Sequence, residues 1–537
     1  MSNQKKQSFL GGAAILASAV VIVKIIGAFY KLPLNNILGS QGKTYFQTAY
    51  NIYNVLLTIS TAGLPLAISK MTSEAHAQGR DNEKRKIFRT AIWLFFALGL
   101  AGSLLMFFGA PQLAGFMNND MARLPIQALA PAVFCVCLLA CMRGYTQGQG
   151  NMAPTAVSQV LEALCKLGIG LPLAWYVLKI GMSLDTGAAG AIFGVTIGTF
   201  ISMLFLIGYL LTHREHTNSL DVPSGSGSLM KRILVIGIPI TLSNSAMSII
   251  NILDTKIVLG QLQNGLRLME EEASTLYGQY SMAMDMPNMV ASFVYPVTMS
   301  LIPFAAAALA RKDNAEADRI ISSAFRIIAV LAIPAGVGLS VVGGSALVML
   351  YPAQQTDALA AGPHMRWLGI ACIFICLMNL TNAILQTYSK ERIPIITVIV
   401  GGITKIVLNY VLVGNPDINI HGAPISTLCC YMVIVGLNLF FIWKYSVKKP
   451  RYLQLFAKPV LASVLMGITV WAAYGFTNRA LFGAHSAYGA NAIATMVSIL
   501  VSVAVYAILV VALRILRAED VRSIPHGEKL IKLLHLK

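Results

Sequence analysis

Carboxylates are scarce in this chain. Twenty-two Asp and Glu face 40 Lys and Arg among 537 residues, and charged residues of both signs make up only 12%. A soluble chain of this length would divide into roughly three or four domains, and so little charge cannot coat their surfaces. The cysteines form no framework. Cys135, Cys137, Cys141, Cys165, Cys372, Cys376, Cys429 and Cys430 all lie in apolar runs, with no C-x-x-C pair and no histidine at ligand spacing. They read as small buried hydrophobes, and neither a metal site nor a disulfide scaffold is expected. The histidines are scattered, with His76 in a basic loop and His364 and His421 at the ends of apolar runs. No Gly-rich phosphate loop ending in Lys-Ser/Thr occurs, which excludes a built-in ATPase. Clustered interfacial acids or histidines, as a membrane-embedded glycosyl- or lipid-modifying enzyme would need, are missing apart from the run Glu270, Glu271, Glu272.

Apolar sequence is what the chain has in quantity, at 56%. Its runs recur from end to end, each long enough to cross about 30 Å of hydrocarbon as a helix. Fourteen spans are predicted, near 8–34, 45–69, 87–110, 124–146, 153–178, 187–211, 230–259, 276–304, 321–349, 366–388, 393–413, 422–443, 455–476 and 490–513. The fold class is therefore an all-α polytopic membrane protein. Lys5 and Lys6 ahead of the first span, and Ala17-Ser18-Ala19 within it, resemble a cleavable signal, but the apolar run continues past them and reads as an uncleaved helix. The net charge of +18 does not point to nucleic acid, because its placement is one-sided. With the N-terminus placed inside, the inner loops and tails carry 29 of the 40 basic residues, the outer loops 6 and the spans 5. That bias predicts both termini on the cytoplasmic side of a plasma membrane.

Residues 223–228, PSGSGS, read as a flexible linker between the sixth and seventh spans. The segments on either side resemble each other. Tyr45-Phe46-Gln47 matches Tyr277-Gly278-Gln279, Asp81-Asn82 matches Asp313-Asn314, and Gly190 matches Gly422, all offset by 232 residues. Pro154 and Pro394 open the fifth and eleventh spans, and Lys166 and Lys405 follow them by 12 and 11 residues. An even six spans per half predicts two parallel repeats. The resulting division is an N-lobe over 1–213, a linker over 214–229, a C-lobe over 230–447, an extra helix pair over 448–516 and a basic amphipathic tail over 517–537.

Eight charges fall inside spans: Lys24, Lys31, Lys166, Lys256, Lys405, Glu162, Asp254 and Asp285. Each would cost about 2.5–3.5 kcal/mol facing lipid, so they should face a polar cavity or one another. Lys24 and Lys31 are seven apart, two helical turns, and share a face; Lys31 lies close enough to the span end to snorkel. Glu162 and Lys166 have the i, i+4 spacing of an intrahelical ion pair, which competes with a cavity role. Asp254 and Lys256 point to different faces. Asp285 stands beside Met286-Pro287, where a proline frees a carbonyl for a cavity or ion site. With five cations against three acids, the cavity is net cationic and suits an anionic headgroup. Arg143 and Gln147 belong to a polar run that reads either as an inner mouth or as an ordinary cytoplasmic turn.

These segments resemble a known family. KIIGAFYKLPLNNILG in the first span, AGLPLAISK closing the second, the six-plus-six repeat and the extra pair are similar to the polysaccharide-biosynthesis branch of the multidrug/oligosaccharidyl-lipid/polysaccharide exporter superfamily, of the stage V sporulation protein B type and related to the MurJ flippases. The resemblance implies a V-shaped cavity between two lobes, alternating access, and export of an undecaprenyl-pyrophosphate-linked saccharide, with lipid II first among candidates. It puts Lys24, followed by Gly27, at the family's central cation, and Lys31 near its second. Leu57-Thr58 and Met282 stand where the family carries further arginines. Lys166, Lys256 and Lys405 are added as substrate-binding candidates, Asp254, Asp285 and Glu162 as ion-coupling or cavity acids. No catalytic residue and no cofactor is expected beyond a coupling ion. The expected partners are the lipid-linked oligosaccharide, membrane lipids and cell-wall synthesis proteins, with no nucleic acid, and the chain is expected to act as a monomer. A cation-coupled drug exporter of the same superfamily is the alternative; twelve spans and an acidic, aromatic cavity would favour it.

Overall fold

The computed structural model describes residues 9–61, 63–213, 219–311, 313–388, 390–446, 449–481 and 486–515. The tail over 517–537 lies outside them. Within the described residues the chain is helical and has no strand. In order the helices are α1 (Phe9–Thr61), α2 (Leu64–Ala77), α3 (Asp81–Phe108), α4 (Ala110–Phe116), α5 (Arg123–Gly148), α6 (Ala153–Cys165), α7 (Leu171–Lys179), α8 (Leu184–Thr212), α9 (Ser226–Gly260), α10 (Glu270–Ala310), α11 (Asn314–Leu350), α12 (Gln355–Ala361), α13 (Met365–Thr387), α14 (Arg392–Val413), α15 (Gly422–Tyr445), α16 (Tyr452–Leu481) and α17 (Ala487–Ala512). Each of the fourteen predicted spans falls on one or two of these. Among the described residues eleven stretches are long and apolar enough to cross a membrane, and the first of them, Ser18–Ala77, carries two predicted spans. Six of the eight cysteines are buried and all eight are free thiols.

Two irregularities shape the first six spans. Gly39, with φ 65° and ψ −173°, breaks α1 into two rods. A side chain at that φ would be strained, so glycine permits the kink. Between α6 and α7 the chain makes a π-helical turn, Lys166–Gly170. The extra residue in such a turn re-aims the side chains around it, a feature frequent at functional sites.

The chain packs as two compact units, Met1–Gln263 with Leu268–Thr275 and Asn264–Arg267 with Leu276–Lys537. In the first unit, α8 packs against α5, α6, α7 and the π turn. Its glycines make this possible. A Cβ on Gly194 would lie 2.3 Å from Gly170 Cα, and one on Gly198 2.9 Å from Glu162 O. Small residues spaced four apart let helix backbones approach closely in lipid, where hydrophobic association between helices is absent. In the second unit, α13 packs between α11 and α15, and α14 lies on α15. The extra pair docks on α11: Asn491 Nδ2 donates to Ser345 O at 3.1 Å and Tyr488 Oη to Met349 O at 3.1 Å.

The first packed unit includes α9 and runs to Gln263. α9 packs with α1, α2 and α3. The stretch read as a flexible linker is tethered where it is described, and α9 begins inside it at Ser226. Asp221 accepts from the backbone N–H groups of Asn82 (3.0 Å) and Glu83 (2.8 Å) and caps α3. Glu83 in return accepts from Ser224 N and Ser224 Oγ. Asn82 Nδ2 donates to Ser219 O at 2.8 Å. Gly and Ser composition signals freedom, but these two acids convert the stretch into a strap across the start of α3.

Two predictions follow from this packing. Gly194→Ala should lower the stability of the purified chain by about 1–3 kcal/mol, as overpacking does, whereas Gly208→Ala, whose Cβ would meet nothing within 4 Å, should be neutral or stabilising; thermal unfolding in detergent distinguishes them. Desolvation raises the Asp221 carboxyl's pKa, but its hydrogen bonds from Ser219 and the Glu83 and Asn82 amides outweigh this and hold it below the ordinary range. The stability the strap gains is therefore complete above the ordinary carboxylate pKa and is lost as pH falls through the depressed one. Limited proteolysis at 219–226 should accelerate in acid, and Asp221→Asn should remove that dependence.

Candidate functional site

The first-unit charges separate into three local environments. Lys166 opens the π turn, and its ammonium lies 4.6 Å from the ring centroids of both Tyr30 and Tyr50 and 6.0 Å from that of Phe46. It also donates to Tyr50 Oη at 3.5 Å. Tyr30 precedes the Gly39 kink while Phe46 and Tyr50 follow it, so the two rods of α1 bring their rings to one ammonium. Phe46 and Tyr50 stack at 5.6 Å and 11°. Each ring attracts the cation by about 0.5–2 kcal/mol, depending on desolvation. Among the described residues no carboxylate pairs with Lys166.

Glu162 does not pair with Lys166 despite the favourable spacing. It accepts from Arg143 Nη2 at 3.2 Å, in a pair only 14% and 27% exposed. Arg143 Nε also donates to Ser158 Oγ at 2.9 Å. Lys166 keeps the α-helical register with Glu162, its backbone N–H donating to Glu162 O, yet α5 supplies the acid's cation instead. Arg143 is thus a partner inside the unit rather than part of a solvated turn. Gln147, one turn on, donates to Thr155 Oγ1 at 3.4 Å.

The third environment is α9 against α1 and α2. Asn51 Nδ2 donates to Thr255 Oγ1 at 2.8 Å, Thr58 Oγ1 meets Ser248 Oγ at 3.1 Å, and Arg232 Nη2 reaches Glu74 at 2.6 Å. Seven residues forward on α1 is answered by seven backward on α9, and sixteen more by sixteen, the register of an antiparallel seam. Gly63 and Gly237 allow the backbones to touch, since a Cβ on Gly63 would lie 2.1 Å from Gly237 O. Thr58, standing where relatives were expected to carry arginine, belongs to this seam. Asp254 is buried beside it. Lys256 lies 3.5 Å from the Phe116 ring centroid on α4, so its charge is held by an aromatic rather than by Asp254.

Lys24 is exposed on α1 and Lys31 is half-buried. Asp285 on α10 and Lys405 on α14 are both buried in the second unit. Eight residues before Lys405, Thr397 begins a polar chain through α13, α14 and α15: Thr397 Oγ1 donates to Asn438 Oδ1 at 2.8 Å, and Asn438 Nδ2 to Thr381 Oγ1 at 3.0 Å. No group of three or more potential metal ligands occurs among the described residues. The tyrosine cage was not anticipated from sequence, although the i, i+4 spacing of Phe46 and Tyr50 was available to suggest it.

With this arrangement in place, likeness to known proteins becomes informative. The profile of the polysaccharide biosynthesis protein family matches residues 9–308. The chain belongs to that family. An uncharacterized membrane protein YabM of Bacillus subtilis (strain 168) is 27% identical over 530 residues, covering 97% of this chain and 96% of that protein. The lipid II flippase MurJ of the same organism is 24% identical, with 86% and 87% covered, and its stage V sporulation protein B 24% identical, with 98% and 99% covered. Among solved structures, lipid II flippase MurJ in an inward closed conformation superposes with TM-score 0.66 at 14% identity, over 93% of this chain and 99% of that one. An inward-facing multidrug resistance MATE family transporter of the MOP superfamily gives 0.63 at 15% identity, over 80% and 97%. The fold of this family member is therefore that of the MOP-superfamily transporters, a multi-pass membrane architecture.

The Arg143–Glu162 pair yields a direct prediction. A double-mutant cycle with Arg143→Gln and Glu162→Gln should give a coupling of about 0.5–3 kcal/mol in thermal stability, and the double variant should be more stable than the less stable single, because each single leaves an unpaired charge and the double leaves none.

Proposed function

We propose that this family member is a flippase that carries a polyprenyl-pyrophosphate-linked saccharide, lipid II or a close relative, from the inner to the outer leaflet. The observation that carries the reading is the state of Lys166. Its charge is held by neutral rings and a phenol, while the nearest acid, Glu162, is neutralised by Arg143. The cation is placed without being cancelled, which leaves it available to a pyrophosphate. Lys24 binds that group first and Lys31 guides it toward the outer exit; Lys405 is the substrate-binding candidate within the second unit. Asp254 and Asp285 are the acids through which a cation gradient would couple. Lys256, engaged by Phe116, is the weakest of the substrate candidates. The chain is read as a transporter and not an enzyme, in a bacterial plasma membrane with both termini inside. Relatives named as lipid II flippases support the substrate class; the likeness to a multidrug transporter supports only the architecture.

The test is complementation of a strain depleted of its lipid II flippase, with leaflet-resolved labelling of lipid II. The wild-type chain should rescue growth and export. Lys24→Ala should abolish both at normal protein levels, since replacing a cavity charge by the better helix former leaves the helix intact. Lys24→Arg should retain much activity, because a guanidinium also binds pyrophosphate. Lys166→Ala should impair export more than Lys31→Ala. Full rescue by Lys24→Ala would refute the binding role, and drug efflux without rescue would establish the exporter reading. Orientation is checked separately: a cysteine in Gly225→Cys should resist an impermeant thiol reagent in whole cells, and efficient labelling would reverse the topology.

A further inference from the structure

At the start of α3 a cavity of about 760 Å³ opens beneath the strap. Arg85, Lys86, Arg89 and Trp93 line it from α3, with Met230 from α9 across the opening. Arg85, Arg89 and Trp93 follow one another at four-residue steps, so they stand on one face of the helix. Among the described residues no carboxylate lines the cavity. The sequence changes character here, from DNEKRK at 81–86 to IFRTAIWLFFALGL at 87–100. The cavity therefore sits where α3 passes from water into the bilayer. Trp93, 70% exposed, occupies the depth at which amphipathic rings anchor at a headgroup layer. A second, nearly apolar groove of about 560 Å³ runs along α9 past Met230, Leu234, Val235 and Ile238. Met230 is common to both.

We propose that this pair of cavities is a binding site for an anionic glycerophospholipid of the surrounding leaflet, its phosphate among Arg85, Lys86 and Arg89 and one acyl chain along α9. A cationic pocket continuous with an apolar groove matches a phosphate ester joined to a hydrocarbon chain, and neither a soluble phosphate nor a neutral lipid uses both parts. The site lies on α3 and α9 and shares no residue with the lysines proposed to bind the transported lipid. Through the strap and Met230 it joins the start of α3 to the start of α9, so an occupied site would hold those two helix ends together.

The test uses the full chain purified in neutral detergent, with bound lipid counted by native mass spectrometry during titration with phosphatidylglycerol or phosphatidylcholine of identical chains. Phosphatidylglycerol should bind at least tenfold more tightly. Replacing all three cations (R85Q, K86Q, R89Q) should remove about 100-fold of that affinity, taking roughly a fivefold loss per charge near a surface, without altering phosphatidylcholine binding. Equimolar inorganic phosphate should not displace the lipid. Equal binding of both lipids, an unchanged preference in the triple variant, or displacement by inorganic phosphate would each overturn the proposal. Should the triple variant fail to fold, brominated phosphatidylglycerol decides on the wild-type chain: at one lipid per protein it should quench fluorescence that W93F lacks, and equal quenching in the two proteins would refute the site.

Discussion

The ammonium of Lys166 lies between the rings of Tyr30 and Tyr50, and much of the first unit is arranged to keep it there. The rings come from opposite sides of the Gly39 kink, so α1 must bend for them to meet. Lys166 itself is delivered by a π turn, and that turn fits against α8 only because Gly170 and Gly194 have no side chains. An aromatic face stabilises a cation without removing its charge, unlike a carboxylate. A positive centre is thus held inside an apolar protein at the expense of backbone irregularity rather than of a counter-ion.

Glu162 shows the complementary solution. It lies one turn before Lys166, yet its charge is matched by Arg143 from a different helix. Separating the two keeps acid and base from collapsing onto each other. A buried pair broken on one side is strongly destabilising, which makes Arg143 and Glu162 a fixed point and leaves the neighbouring lysine as the adaptable one.

The architecture was legible in the sequence because hydrocarbon imposes a length and a composition that survive any tertiary detail; all fourteen spans fall on helices for that reason. The partners within it were less so. Helical spacing pointed Glu162 toward Lys166, and that spacing is kept, but the acid's partner is Arg143 on another helix, which no local period reveals. Gly and Ser at 223–228 spoke for a loose connection, while the capping acids that tie it lie some 140 residues earlier, at Glu83, or just outside the low-complexity stretch, at Asp221. The packing of α9 with α1 and α2 was likewise hidden, since its contacts are made by Ser, Thr and Asn, residues that carry no strong positional signal inside apolar runs.

That same seam sets an energy scale for motion. Besides the Arg232–Glu74 pair, it holds bonds between neutral hydroxyls and amides, Asn51 to Thr255 and Thr58 to Ser248. Such bonds between membrane helices average only about 0.6 kcal/mol each, and several of these groups can fall back on carbonyls of their own helix, as Thr58 does with Asn54 O and Thr255 with Asn251 O. Parting the helices leaves those hydroxyls bonded and takes from the Asn51 amide its bond to Thr255. The surface between α1 and α9 thereby behaves as a reusable fastening: firm enough to define an arrested state, shallow enough that thermal energy and modest ligand binding can undo it many times without trapping the chain.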